Sequence, residues 1–378
     1  MIYLDYNATT PVDPRVLDRM IPYFSGHFGN PSSASHNYGW TAAAAVEAAA
    51  ESLASLVGAH PEEVVFTSGA TEALNQAIKG LALAEPGRHV VTVGTEHKAV
   101  LDTCLAIRRA GVDVSFLAVD HLGLVDVDQL VDALRPSTAL VAVMWANNET
   151  GTIASIEEVS GVVAERGIPL LSDATQAVGK VSVSAEHVDL LVCSGHKFYA
   201  PKGVGALIAR RGRGAARVPR FIDGGGQQGG RRGGTLNVPG IVGLGAAAEL
   251  ARDTLAAERA RIEPLRDQLE ANLLAAWPGS FVNGYIERRL PQTSNIAFPG
   301  VDAAKLMAQL RSLAVSNASA CQSEGGRPSH VLKAMGLGDA EARASIRFSL
   351  GRPTTEQEVI EAVNMVKSAL RHSEVPVE

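Results

Sequence analysis

From Val64 onward, short apolar runs alternate with amphipathic stretches. Val64-Val65-Phe66-Thr67 predicts a strand, and Ser68-Gly69-Ala70-Thr71-Glu72 opens a predicted helix that runs to about Leu83. The alternation continues with strands at His89 to Val93, Val112 to Val119 and Leu140 to Trp145. Helices are predicted between them, over Glu96 to Arg109, Asp126 to Leu134 and Ile156 to Arg166. Apolar runs around Leu170 and Leu190 predict two more strands, and Gly205 to Ala209 predicts a strand pairing back toward them. Strands separated by helices predict an α/β fold with a mostly parallel central sheet and helices on both faces.

Before this region, Thr41 to Val57 predicts an Ala-rich helix with a Thr cap at its start and Gly58 at its end. The first ten residues read as an extended arm whose small and hydroxyl side chains either line a site or form a turn. After it, Asp223 to Gly234 is too Gly-rich for a regular element and predicts a loop, either mobile or shaped around a ligand or partner. Long helices are predicted from Val238 to about Trp277. The chain then alternates again: strand Ser294 to Phe298, helix Ala303 to Ser312, strand Ala344 to Leu350, helix Thr355 to Leu370. This pattern divides the chain into a large unit, 14–255, and a smaller α/β unit made of 1–13 and 256–378.

Composition narrows the function classes. A chain of 378 residues, 46% hydrophobic and 20% charged, suits such a two-part enzyme-sized protein. A net charge of −6 with both signs interspersed points away from direct nucleic-acid binding and from anionic membranes. Arg210, Arg211, Arg213, Arg217 and Arg220 cluster, and read as a solvated face. No apolar run is long enough to span a bilayer, and the N-terminus lacks a basic region followed by an apolar core. Three cysteines, Cys104, Cys193 and Cys321, form neither a disulfide framework nor a zinc spacing, so no metal is expected. Such sparse cysteine use fits a reducing compartment, and the expected location is cytoplasmic.

In parallel α/β sheets, ligands gather at the carboxyl ends of the strands, and every polar cluster of this sequence falls at such an end. The run Val188 to Cys193 delivers Ser194-Gly195-His196-Lys197, and the run Ile168 to Leu171 delivers Asp173 and Gln176. A half-buried lysine is a nucleophile able to form a Schiff base. Beside an aspartate that keeps a pyridine nitrogen protonated, it meets the needs of pyridoxal 5'-phosphate. Taken singly, Lys197 also fits a surface lysine and Asp173 a helix cap. Ser68-Gly69-Ala70-Thr71 sits where a strand turns into a helix, a place that favours a phosphate or simply caps the helix. His97 either stacks on a cofactor ring or caps the next helix. In Asn147-Asn148-Glu149-Thr150 an Asn amide suits a ring oxygen or a turn, and Gln176 suits the same oxygen. Arg347, a charge within a strand, suits a substrate carboxylate or an ion pair. Cys321 lies among small, polar and glycine residues in what reads as a flexible exposed loop, 316–333, which invites a reactive role. Cys104 and Cys193 read as buried.

Together these blocks resemble the cysteine desulfurases of the NifS/IscS type, in the class V aminotransferase group of fold-type I pyridoxal-phosphate enzymes. The resemblance runs from Tyr3-Leu4-Asp5 to about Leu370. It is carried by Phe66 to Glu72, Thr95-Glu96-His97-Lys98, Asn147 to Gly151, Asp173 to Gln176, Ser194 to Lys197 and Ser319-Ala320-Cys321. It implies that Lys197 carries the cofactor, that Asp173 pairs with its pyridinium and that His97 stacks on its ring. It also implies that Gln176 and Asn148 contact ring or substrate oxygens, and that Ala70, Thr71, Ser194 and His196 hold the phosphate. Thr235 would reach the phosphate of the other subunit of a homodimer. Arg347 and Asn148 would bind the substrate carboxylate. Cys321 would take the sulfur of L-cysteine as a persulfide, leaving L-alanine, and hand it to an acceptor protein. That sulfur would serve iron–sulfur cluster assembly, tRNA thiolation or DNA phosphorothioation.

The sequence departs from the family pattern in places. Gln227-Gln228-Gly229 stands where the family has His-Glu-Arg, and Asn317-Ala318 and Gln322 replace the usual flanks of the cysteine. The chain stops at Glu378 without the longer tail of some relatives, which weakens the expectation of a housekeeping cluster-assembly role. Three rival readings are a selenocysteine lyase, a class V aminotransferase, and a non-enzymatic sulfur-carrier or assembly subunit. An aminotransferase would have no need of Cys321.

Overall fold

The computed structural model describes residues 1–211, 218–317 and 328–372. Seven strands form the central sheet, in the spatial order Val64–Thr67, Gly205–Ala209, Leu190–Ser194, Leu170–Asp173, Thr138–Ala142, His89–Val93, Asp113–Leu117. Only Gly205–Ala209 runs against the others, pairing antiparallel with both Leu190–Ser194 and Val64–Thr67. The sheet is therefore mostly parallel, and its last strand turns back as the sequence pattern anticipates. Alternate residues feed separate cores. Phe66, Val91, Val141, Leu170, Leu191 and Cys193 face one apolar cluster, while Val65, Val90, Leu140, Leu171, Leu190 and Val192 face another. A sheet buried on both faces needs near-continuous apolar strands, which is why these short runs were legible.

A third cluster forms around Ile262, Leu269, Phe298, Ile346, Phe348 and Val366. It covers an antiparallel sheet of Ser316–Asn317, Ser345–Ser349, Thr293–Ala297 and Phe281–Val282. The N-terminal arm belongs to this side: Ile2–Tyr3 pairs parallel with Leu313–Ala314, and Asp5 bridges to Ser349. The "long helices" are one helix, Val238–Leu274. Ile241 to Ala251 pack in the first cluster and Ile262 to Leu273 in the third, so each half is held by its own core. Pro264 lacks a donor but does not end a helix anchored on both sides of it.

Two expectations change. The Ala-rich helix is Asn37–Val57, and its cap is His36, whose Nδ1 accepts from Gly39 N at 3.2 Å; Thr41 lies inside it. The Gly-rich segment is anchored rather than loose. Gln228 lies along the open edge of Val64–Thr67, accepting from Phe66 N at 2.7 Å and donating to Phe66 O at 2.8 Å. Arg231 donates to Glu62 O at 2.8 Å and Val64 O at 3.3 Å. These side chains take the place of a neighbouring strand at an exposed sheet edge. A glutamate at 228 would accept from Phe66 N but have nothing to donate to Phe66 O, so glutamine is the better edge partner here. Among the described residues no helix is long and apolar enough to cross a membrane.

Candidate active site

Five of the six strands that share one direction, all but Asp113–Leu117, end at one cavity of about 510 Å³, a volume suited to a cofactor and a small substrate. Asn7, Ala70, Thr71, His97, Asn148, Asp173, Gln176, Ser194, His196, Lys197 and Arg347 all line it. Every described residue given a site role by sequence is thus gathered here except Thr235, which is exposed and lines no part of it. Cys321, together with Ala318, Gln322, Arg213 and Arg217, lies outside the described residues.

Local structure explains how each group arrives. Lys197 closes the short 3-10 turn Gly195–Lys197 after Leu190–Ser194, and its Nζ donates to Asn7 O at 2.7 Å and Ala8 O at 2.8 Å. Asp173 ends its strand, and its Oδ1 accepts from Thr175 N at 3.0 Å. His97 caps helix Lys98–Arg109 through Nδ1, which accepts from Ala99 N at 3.1 Å, and the same side chain lines the cavity. That bond puts the proton of the neutral ring on Nε2. Burial, with Lys197 and His330 adding to it against Asp173, lowers the His97 pKa. Burial and the nearby Lys197 and Lys202 push His196 down to about 4. Both imidazoles are neutral at pH 7.

Gly69 opens the phosphate-sized turn with φ +151°, and the Gly205 strand passes so close that a Cβ on Gly205 would sit 2.7 Å from Gly69 Cα. The two glycines let Ser68–Thr71 and the N-terminus of helix Ala70–Ala82 sit against Ser194. Arg347 forms the ion pair that its place within a strand allowed. It pairs with Asp5 at 2.6 Å and donates to Asn148 O at 2.8 Å, yet it lines the cavity, and its buried Nε has no partner among the described residues.

The structure adds groups that sequence reasoning passed over. Asn7 joins the two halves of the site. Its carbonyl accepts from Lys197 and Gln176, while its amide nitrogen donates to Thr293 Oγ1 at 2.9 Å. The small and hydroxyl character of the arm was the available signal. Glu96 is buried behind the site and accepts from Met144 N, and burial and the nearby Asp173 push its carboxyl pKa up. Glu149 accepts from the Ser329 hydroxyl, which in turn caps helix His330–Ala334. This contact ties the Asn148 turn to the first helix after the cysteine-bearing segment.

Burial pushes Glu149 up to about 7 from 4.5, against the opposing pull of Ser329 and Arg347. The folded state therefore holds this proton more tightly than the unfolded chain. The stability it contributes is complete below about pH 4.5 and is lost as pH rises through about 7. Glu149→Gln keeps the neutral shape, so its stability relative to wild type is expected to rise by roughly 2–3 kcal/mol between acid and mildly alkaline pH. Urea unfolding of both proteins at the two ends of that range tests this; a constant difference would mean that Glu149 does not titrate there.

The cavity fits pyridoxal phosphate on its own chemistry. It offers a helix N-terminus for a phosphate, a carboxylate for a pyridinium and an amine for an aldehyde. Two buried atoms of lining residues, Asn148 Oδ1 and Thr175 Oγ1, have no hydrogen-bond partner among the described residues and call for a polar ligand.

A family model described as aminotransferase class-V matches residues 2–362. The chain is 48% identical over 374 residues to the cysteine desulfurase IscS of Anaeromyxobacter dehalogenans (strain 2CP-C), covering 98% of this chain and 92% of that protein. A solved NifS-like protein superposes with a TM-score of 0.91 at 37% identity, covering 98% of this chain and 99% of the other. A structure described as SspA in complex with cysteine superposes with a TM-score of 0.82 at 38% identity, covering 93% and 99% respectively.

Proposed function

The chain belongs to the class-V aminotransferase family, a group of fold-type I enzymes that use pyridoxal phosphate, and on that premise we propose that it is a cysteine desulfurase. The observation that carries this reading is one cavity joining the Lys197 amine and Asp173 to a buried arginine with an unused donor. Arg347 Nε and the Asn148 amide suit the carboxylate of an amino acid. Lys197 would hold the cofactor aldehyde and Asp173 its ring nitrogen, with His97 against the ring and Gln176 and Asn148 at polar ring or substrate atoms. Ala70, Thr71, Ser194 and His196 would surround the phosphate. When bound, the cofactor supplies an electron sink for a negative charge at the substrate α-carbon. Lys197 Nζ would also be the base that takes the substrate α-proton. The Cys321 thiolate then attacks the substrate sulfur. An S–S bond would form, the C–S bond would break with its electron pair staying on carbon, and that carbon would take up the proton given up by the Cys321 thiol to become the alanine methyl. No outside oxidant is needed, and an acceptor protein takes the outer sulfur.

The same reading divides the chain at 255/256, supported by separate apolar clusters on the two halves of the long helix. It makes the protein a cytoplasmic homodimer. Supporting the dimer, Phe24, Phe28, Tyr38 and Trp40 are each more than half exposed near the N-terminus, and Thr235 is exposed and does not line the Lys197 cavity of its own chain. The test is incubation with L-cysteine and a thiol reductant. Sulfide and alanine are expected in equal amounts; glutamate formed from 2-oxoglutarate without sulfide would replace the desulfurase with an aminotransferase.

A further inference from the structure

Glu72 lines the cavity within the same turn that the proposed function assigns to the cofactor phosphate. Its side chain is 8% exposed, so water screens it little, and a carboxylate there repels a phosphate dianion. The fold supplies a counter-charge from the Gly-rich segment. Arg232 Nε donates to Glu72 Oε1 at 2.9 Å and its Nη2 to Oε2 at 3.3 Å, the fork geometry of a strong pair. Glu72 Oε2 also accepts from Ser68 N at 2.9 Å. Burial pushes the Glu72 carboxyl up, but Arg232 and Ser68 outweigh it and hold the group below its usual range. Glu72 is thus a charged carboxylate that shapes the Ser68 turn, and Arg232 cancels its charge. Arg232 is itself fixed, because its neighbours Gln228 and Arg231 fasten the segment to the edge strand.

We propose that Arg232 and Glu72 form a positioning pair for the cofactor phosphate: the glutamate orders the turn and the arginine removes the repulsion that the glutamate would otherwise exert. The proposal rests on the cofactor reading above. It predicts an asymmetry that a plain helix staple would not show. Arg232→Ala leaves a bare carboxylate beside the phosphate site, whereas Glu72→Gln keeps the Ser68 contact and removes the charge.

Equilibrium dialysis of the full-length protein with pyridoxal phosphate, and in parallel with phosphate-free pyridoxal, reads this directly through bound absorbance. Arg232→Ala is expected to weaken pyridoxal phosphate binding about tenfold or more, and Glu72→Gln to leave it unchanged or tighter. The double variant should return close to wild type, and pyridoxal should bind all four proteins alike. If Glu72→Gln weakens binding as much as Arg232→Ala and the double variant is no better, the pair is only a staple and the proposal fails. Equal losses for pyridoxal also overturn it, since the effect would not lie at the phosphate. Wild type that binds neither probe overturns the cofactor reading itself; wild type that binds pyridoxal phosphate, with all variants unchanged, overturns the pair alone.

Discussion

Lys197→Ala is expected to lose the yellow colour of the bound cofactor and to release sulfide more slowly by on the order of 10⁴-fold or more. The amine follows the end of a buried strand, and on the proposed function a change there removes both the hold on the cofactor aldehyde and the base for the α-proton. The fold should survive it. The substitution forfeits two hydrogen bonds to Asn7 O and Ala8 O, a cost of about 1–3 kcal/mol that circular dichroism and thermal unfolding would register as a modest shift. Lys202 provides the control, because it is the other lysine lining the cavity and is exposed. Lys202→Ala should keep both colour and turnover. Swapped outcomes for the two variants would move the cofactor-bearing role from Lys197 to Lys202.

How far these roles were readable in the sequence depended on what fixes each group. Asp173, Ser194 and Lys197 end apolar strands buried on both faces, and a strand end in a parallel sheet is a place that hydropathy alone predicts. His97 and the Ser68 turn stand at helix starts, where capping and ligand chemistry use the same residue types. The pattern located them but left the choice open; His97 caps its helix and also lines the cavity. Asn7, Glu72, Arg232 and Glu149 were not singled out. Their meaning lies in partners far away in sequence, such as Thr293 for Asn7 and Ser329 for Glu149. Nothing local announces that Glu149 is buried or that Arg232 returns to helix Ala70–Ala82. The Gly-rich segment could be read only as a loop, mobile or shaped around a ligand or partner, for the same reason: its anchoring comes from Gln228 meeting a strand edge 162 positions earlier. The His36 cap was missed because the helix runs back through Gly39 and Trp40, which propensity alone would place outside it.

Cys321→Ala is expected to keep the bound cofactor and its colour and to take up L-cysteine, but to lose sulfide and alanine release by on the order of 10³-fold or more. The structure argues for this through the other two cysteines. Cys104 and Cys193 are fully buried, and burial pushes both thiols up to about 12, so neither offers a thiolate at neutral pH. Of the three cysteines in the chain, that leaves Cys321 for the sulfur-accepting step of the proposed function. Its serine analogue would not restore turnover, because a hydroxyl lacks the nucleophilicity to take a sulfur atom and the persulfide bond needs a second sulfur. Cys104→Ala and Cys193→Ala should stay within a few-fold of wild type, apart from a packing cost at Cys193 in the central sheet. Mass spectrometry of wild type after one turnover without reductant should find one added sulfur, on the peptide containing Cys321. Persulfide on another cysteine would move the acceptor role to that residue, whereas sulfide release undiminished in Cys321→Ala with no persulfide formed would mean that the substrate sulfur leaves directly from the cofactor site. The chain would then act as a lyase rather than as a sulfur-transferring desulfurase.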